Sequence, residues 1–157
     1  MKKQIVKSSN QKETFEIGRN FAEGLELGDT VAFFGDLGMG KTEFIKGICD
    51  YFRVEDLVTS PTFTIMNRYN GSGRISNHDI PIYHIDLYRI ENEDELDEVG
   101  FLDCVYENNS IKLVEWAENA NNNFPKNKYM VKIMQDSSEP DKRIIEIYSQ
   151  ELISEIV

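Results

Sequence analysis

The sequence predicts an α/β fold with a mixed parallel and antiparallel central sheet flanked by helices. Three observations carry that expectation. The apolar run "TVAFF" (30–34) enters a glycine-rich loop and then a segment with helical periodicity. Two runs rich in β-branched and aromatic residues, 61–69 and 80–90, flank a turn-prone stretch. The hydrophobic strand 111–116 is followed by two further strand-like runs near the C-terminus.

The elements follow in chain order. Asn10 with Glu13 has the spacing of a capping box, and Ile17, Phe21 and Leu25 recur at four-residue steps, so a first helix is expected over 11–25, ended by "LGD". Thr30 to Phe34 reads as a short buried strand. Ile45, Ile48, Cys49 and Phe52 then form the apolar stripe of a helix beginning near Lys41. "PTFTIMNRY" and "IPIYHIDLYRI" predict an antiparallel hairpin with a long, mobile tip at "NGSGRISNHD". Asn92 with Glu95 marks a second helix start, running through Leu96, Val99 and Leu102 toward Tyr106. "IKLVEW" is a strand buried on at least one face, and "YMVKIMQ" and "RIIEIYS" flank "DSSEPDK" as a C-terminal hairpin before a short tail.

Length and charge bound the function. A chain of 157 residues is expected to bury one core, giving a single domain over 1–157 without repeats or linkers. The net charge of −11 and the absence of a Lys/Arg cluster argue against tight, autonomous nucleic-acid binding. An acidic surface suits solubility and a basic protein partner. No run of about eighteen apolar residues could span a bilayer, and the N-terminus turns polar before a signal-peptide core could form. A cytoplasmic protein without membrane contact is expected. Cys49 and Cys104 lack metal or CxxC spacing and read as reduced core thiols.

The segment "GDLGMGKT" carries the chemistry. Gly35, Gly40, Lys41 and Thr42 satisfy G-x-x-x-x-G-K-[ST], and the strand–loop–helix setting is the one a phosphate-binding loop requires, which makes the fold P-loop NTPase-like. Glycines let successive amides turn inward, and the helix N-terminus adds partial positive charge where the β-phosphate would sit. Lys41 would bridge the β- and γ-phosphates, and the Thr42 hydroxyl would be a ligand of octahedral Mg²⁺. "NKYM" (127–130) approaches the guanine-reading N-K-x-D but ends in Met130, so ATP is the expected nucleotide.

Acids at strand ends complete such a site. Asp86 follows "IYHI" and Glu115 follows "IKLV". Asp36, inside the loop, would turn toward metal or water, or satisfy a loop N–H. His84 shares a face with Asp86 and Tyr88 by period-two alternation and reads as an orienting group rather than a metal ligand. Ser60, Thr62 and Thr64 form a hydroxyl-rich loop where related enzymes keep a switch that senses the γ-phosphate. Arg89 either pairs with the acidic helix or reaches phosphate. The acidic run "ENEDELDE" is a solvated helix face or a docking surface for a basic partner.

Together, "GDLGMGKT", "SPTFT" (60–64), "YHIDLYRI" (83–90), "ELDEVGF" (95–101) and "VEWAE" (114–118) resemble, in order and spacing, the TsaE (YjeE) family of small ATPases of tRNA threonylcarbamoyladenosine biosynthesis. The resemblance covers most of the chain. It implies a subunit that binds and hydrolyses ATP with Mg²⁺ and acts with TsaD and TsaB, which transfer a threonylcarbamoyl group onto an adenosine beside the anticodon. tRNA would be met only indirectly, through that complex. By the same resemblance, Gly35, Asp36, Leu37, Gly38, Met39, Gly40, Lys41, Thr42 and Glu43 form the nucleotide-binding stretch, and Thr42 and Glu115 hold Mg²⁺. Asp86 is needed for hydrolysis, with Lys41 and Glu115 in the catalytic set. Trp116 matches the family's tryptophan beside that glutamate, and Asn10 and Arg143 fall near positions that flank the nucleotide.

The expected reaction is in-line attack of water on the γ-phosphate, slow in the isolated chain because no arginine finger is evident. Two rivals use the same cradle. A small-molecule kinase needs an acceptor pocket and usually an arginine-bearing lid, for which only Arg74 is available in the hairpin tip. A nucleotide-controlled binding module would work through its bound state without required turnover.

Overall fold

The computed structural model describes residues 2–125 and 129–149. Along the chain run β1 (Lys2–Ser8), α1 (Gln11–Phe21), β2 (Thr30–Phe34), α2 (Lys41–Tyr51), β3 (Met66–Ser72), β4 (Asp79–Asp86), α3 (Glu93–Glu98), α4 (Phe101–Val105), β5 (Ile111–Glu115), β6 (Tyr129–Gln135) and β7 (Arg143–Ser149). The strands form one seven-stranded sheet in the order β1-β7-β6-β2-β5-β4-β3. β2 lies parallel to both β5 and β6, and β4 parallel to β5. The β3–β4, β6–β7 and β1–β7 pairs are antiparallel. The expected α/β fold with a mixed central sheet is therefore present.

The sheet is covered on both faces. On one, Phe21, Phe44, Ile45 and Ile48 of α1 and α2 pack on Val31, Phe33, Ile82, Leu113 and Val131. On the other, Leu96, Phe101 and Val105 of α3 and α4 pack on Ala32, Ile85 and Val114. Because successive strand residues face opposite ways, the all-buried pattern of β2 and β5 is what a central strand between two helical layers requires. The carboxyl ends of β2, β4 and β5 share one edge, the place where open α/β sheets present ligands.

Local rules explain the helix starts. Asn10 Oδ1 accepts from Glu13 N at 2.9 Å while Glu13 Oε2 accepts from Ser9 N at 2.6 Å. Asn92 and Glu95 repeat the device at α3: Asn92 Oδ1 accepts from Glu95 N at 3.2 Å, and Glu95 Oε2 accepts from Glu91 N at 2.9 Å.

Several expectations need correction. The first helix gives way after Phe21 to a 3₁₀ turn, Ala22–Gly24. The helix from Asn92 toward Tyr106 is two short helices, because Gly100 adopts φ +72° and redirects the chain. β3 begins at Met66 rather than residue 61, since Ile65 N bonds back to Pro61 O at 2.7 Å and Ile65 itself takes φ +66°. β4 stops at Asp86, and Trp116 lies just past β5 with φ +55°. In place of a long free tip, the β3–β4 turn is closed by Gly73 N to His78 O at 2.8 Å and docked on α2, with Arg74 4.7 Å from the Tyr51 ring centroid. The strand β1 was not foreseen. The C-terminal tail and part of "NKYM", residues 127 and 128, lie outside the described residues. Cys49 and Cys104 are free, and burial pushes their thiols up to about 12 and about 11.

Candidate functional site

A cleft of about 640 Å³ opens at the carboxyl edge of the parallel strands. Its floor is the loop between β2 and α2. Gly40 takes φ +107° and stands directly before α2, which has no side-chain cap, so the first amides of the helix are left for a ligand. Gly35, at φ +138°, passes so close to β6 that a Cβ would meet Ile133 O at 2.4 Å. Leu37, Gly38, Met39, Gly40, Lys41, Thr42 and Glu43 all line the cleft. Gly35 and Asp36 do not; they contribute carbonyls instead. Lys41 Nζ donates to Gly35 O and, at 3.1 Å, to Asp36 O, while the ring of Trp116 lies 4.2 Å from the ammonium. Burial lowers the lysine's pKa, and Glu115 leads the carboxylates that oppose that shift. The Asp36 side chain is exposed.

The acids predicted at strand ends meet here. Parallel pairing sets Asp86 opposite Glu115, and both are buried in the wall of the cleft. Thr42 Oγ1 donates to Glu115 Oε1 at 3.0 Å, and His84 Nε2 lies 2.7 Å from the same oxygen. Ser60 Oγ donates to Asp86 Oδ2 at 2.5 Å, and Tyr88 N to Asp86 Oδ1 at 2.9 Å. Ser60 and Thr62 face the cleft; Thr64 turns away to Asn67 Oδ1 at 3.2 Å. Among the described residues no group of three or more His, Cys, Asp or Glu is arranged to cage a metal. One carboxylate beside one hydroxyl is instead the sparse oxygen donor set that Mg²⁺ uses when phosphates and waters fill the rest of its shell.

Asn10 and Arg143 are far apart in sequence but line the same cleft. The β1–β7 register brings them together, pairing Ser8 with Arg143. Four lining residues were not foreseen as nucleotide contacts: Gln11, Thr14, Tyr88 and Asp141. Gln11 and Thr14 accompany Asn10 on the first turn of α1, a clue available only once β1 is known to position that helix. Tyr88 stands 4.9 Å from Trp116, ring to ring. Arg74 is committed to Tyr51, and Arg89 stacks 4.4 Å from the Phe63 ring centroid; neither lines the cleft. No helix among the described residues is long and apolar enough to cross a membrane.

Comparisons with known proteins bear on the family and the fold. The family model described as threonylcarbamoyl adenosine biosynthesis protein TsaE matches residues 8–145. The tRNA threonylcarbamoyladenosine biosynthesis protein TsaE of Bacillus subtilis is 35% identical over 133 residues, covering 85% of this chain and 78% of that protein. The protein of the same name from Rickettsia conorii is 36% identical over 111 residues, 70% of this chain and 59% of the relative. The crystal structure of Bacillus subtilis YdiB superposes with a TM-score of 0.74 at 29% identity, covering 96% of this chain and 87% of that one.

Proposed function

Since the chain belongs to the TsaE family of threonylcarbamoyl adenosine biosynthesis proteins, we propose that it is the Mg²⁺-dependent ATPase that supports threonylcarbamoyladenosine modification of tRNA together with TsaD and TsaB. The observation that carries the reading is the Thr42–Glu115 contact of 3.0 Å at the head of an uncapped helix, with Lys41 beside it. A cradle for phosphate, the start of a cation site and a buried positive charge meet within one cleft.

The residues divide the work. Amides of the loop and of the first turn of α2 receive the β-phosphate, and the ammonium of Lys41 exchanges its loop carbonyls for phosphate oxygens as they enter. The Thr42 hydroxyl donates a hydrogen bond to Glu115, which leaves its oxygen lone pairs free to face a cation. Magnesium, when bound there, supplies charge neutralisation on the β- and γ-phosphates. Asp86, fixed by Ser60 and the Tyr88 amide, orients the attacking water and accepts its proton. Asn10 and Arg143 line the same cleft and would flank the bound nucleotide.

The test is reconstitution of tRNA modification from TsaD, TsaB, tRNA and a threonylcarbamoyl donor, with and without this chain. Modification that requires wild-type chain and is lost with Lys41→Ala is the expected result. Modification of equal extent without the chain would end the proposal. Phosphorylation of a small acceptor in place of phosphate release would favour the kinase reading.

A further inference from the structure

Behind the cleft lies a buried polar chain that the proposed ATPase cycle leaves without a role. His84 is wholly enclosed, and its Nε2 lies 2.7 Å from Glu115 Oε1. Its Nδ1 lies 3.5 Å from the Tyr69 hydroxyl, which in turn is 3.3 Å from Thr59 O. Glu115 as a carboxylate offers only acceptors, so Nε2 carries the hydrogen of that contact. The Tyr69 proton is then shared between two acceptors, Nδ1 and Thr59 O.

Both donors reaching Glu115, the Thr42 hydroxyl and His84 Nε2, converge on Oε1. Among the described residues Oε2 receives neither of these bonds, and because no buried side-chain oxygen is left without a partner, Oε2 is open to the cleft that Glu115 borders. A carboxylate pinned through one oxygen has its rotation about the last side-chain bond fixed, so the other oxygen is held in one direction. Residues that hydrogen-bond to a ligating group orient it in this way and commonly set metal affinity as strongly as the ligand itself.

We infer that His84 is a positioning residue for the cation site: by fixing Glu115 Oε1 it directs Oε2 into the cleft, and Tyr69 fixes the ring that does so. The inference rests on the reading of Thr42 and Glu115 as the Mg²⁺ site. His84 touches neither nucleotide nor ion. Its effect belongs to the magnesium dependence of nucleotide binding, not to nucleotide binding as such.

The experiment is calorimetric titration of the full chain with ADP, which does not turn over, across a series of MgCl2 concentrations and again in EDTA. His84→Leu removes the donor and keeps an apolar filler; His84→Gln returns an N–H near the Nε2 position. For His84→Leu, the MgCl2 concentration giving half of the magnesium-dependent gain in ADP affinity rises by about tenfold or more, with affinity in EDTA unchanged. His84→Gln restores that midpoint to within about threefold of wild type. An unchanged midpoint in folded His84→Leu overturns the inference, as does an equal loss of ADP affinity with and without magnesium, which marks a purely structural role. Should His84→Leu fail to give a cooperative thermal transition, Tyr69→Phe decides. It shifts the midpoint in the same direction by roughly threefold, and a wild-type profile overturns the inference. A wild-type chain without magnesium dependence overturns the cation site and this inference together; a magnesium-dependent wild type with an indifferent His84→Leu overturns the inference alone.

Discussion

Gly47→Ala is a severe test of the packing that sets the phosphate loop. Gly47 sits on the face of α2 that crosses α1, and a Cβ added there would meet Phe15 O at 2.0 Å, Arg19 N at 2.7 Å and Phe15 C at 3.0 Å. Gly18 answers it from α1, where a Cβ would lie 2.1 Å from Phe44 O. These neighbours are backbone atoms and cannot rotate aside, so reaching an ordinary contact of 3.4 Å forces the helices apart locally by roughly 1.4 Å. That movement separates Phe21 from Phe44, whose rings now pack at 5.5 Å. Overpacking of this kind costs about 1–3 kcal/mol, and the backbone clash places it at the upper end. Alanine's better helix propensity returns about 1 kcal/mol. The net loss is ~2 kcal/mol, which for a chain of this size lowers Tm by roughly 4–8 °C. Thermal and urea unfolding monitored by circular dichroism measure it. Because α2 begins at Lys41, ADP affinity falls as well. A variant as stable as wild type, or more so, would refute the close crossing and the loop placement derived from it.

Asp86→Asn keeps the acceptor for the Tyr88 amide, lets the Ser60 hydroxyl turn to accept from the new Nδ2, and removes the charge. Single-turnover ATP hydrolysis is expected to fall on the order of a hundredfold or more with ADP affinity retained, and undiminished hydrolysis would contradict the role assigned to Asp86. Lys112 is buried, donating to Gly28 O at 2.9 Å, Ser110 O at 3.3 Å and Glu107 O, and burial lowers its pKa. Lys112→Met removes the lysine's bonds to Gly28 O and Glu107 O, while Ser110 O keeps the Gly28 amide, at a cost of about 1–3 kcal/mol for each carbonyl left unsatisfied, read as a lower urea midpoint; an unchanged midpoint would contradict it. Asp136 accepts from Lys7 Nζ at 2.9 Å and from Ser138 Oγ at 2.7 Å, and these bonds hold its carboxyl below the usual range. A depressed folded-state pKa makes its contribution complete above the ordinary value of 3.8 and lost as pH falls below it. Asp136→Asn therefore flattens part of the acid limb of the stability profile, measured as urea midpoints on either side of that pH.

The parts of the molecule legible in sequence are those where local chemistry and burial agree. The run "TVAFF" has all but its last residue buried, and the glycines after it have no strand role, so β2, the loop and α2 appear at their observed bounds. Asp86 and Glu115 were legible because each closes an apolar run, and strand register did the rest. β1 was not: "KKQIVKS" leaves alternate residues in solvent at the sheet edge, so its strand character comes from pairing with β7, 135 or more residues away. That edge pairing is what brings Asn10 and Arg143 to one cleft, which explains why only family resemblance pointed to them. "PTFT" has strand composition, yet the Pro61–Ile65 bond bends it toward Asp86. Tertiary demand overrode propensity there.

The central claim is that inward amides at the head of α2, with Lys41 and Thr42, grip the phosphates of an adenine nucleotide. Calorimetric titration of ADP into the chain in magnesium buffer tests it directly. The account predicts saturable heat at one nucleotide per chain, weakened at least tenfold by Lys41→Ala in a variant that melts like wild type. No heat with wild type, or equal affinity in Lys41→Ala, would contradict it.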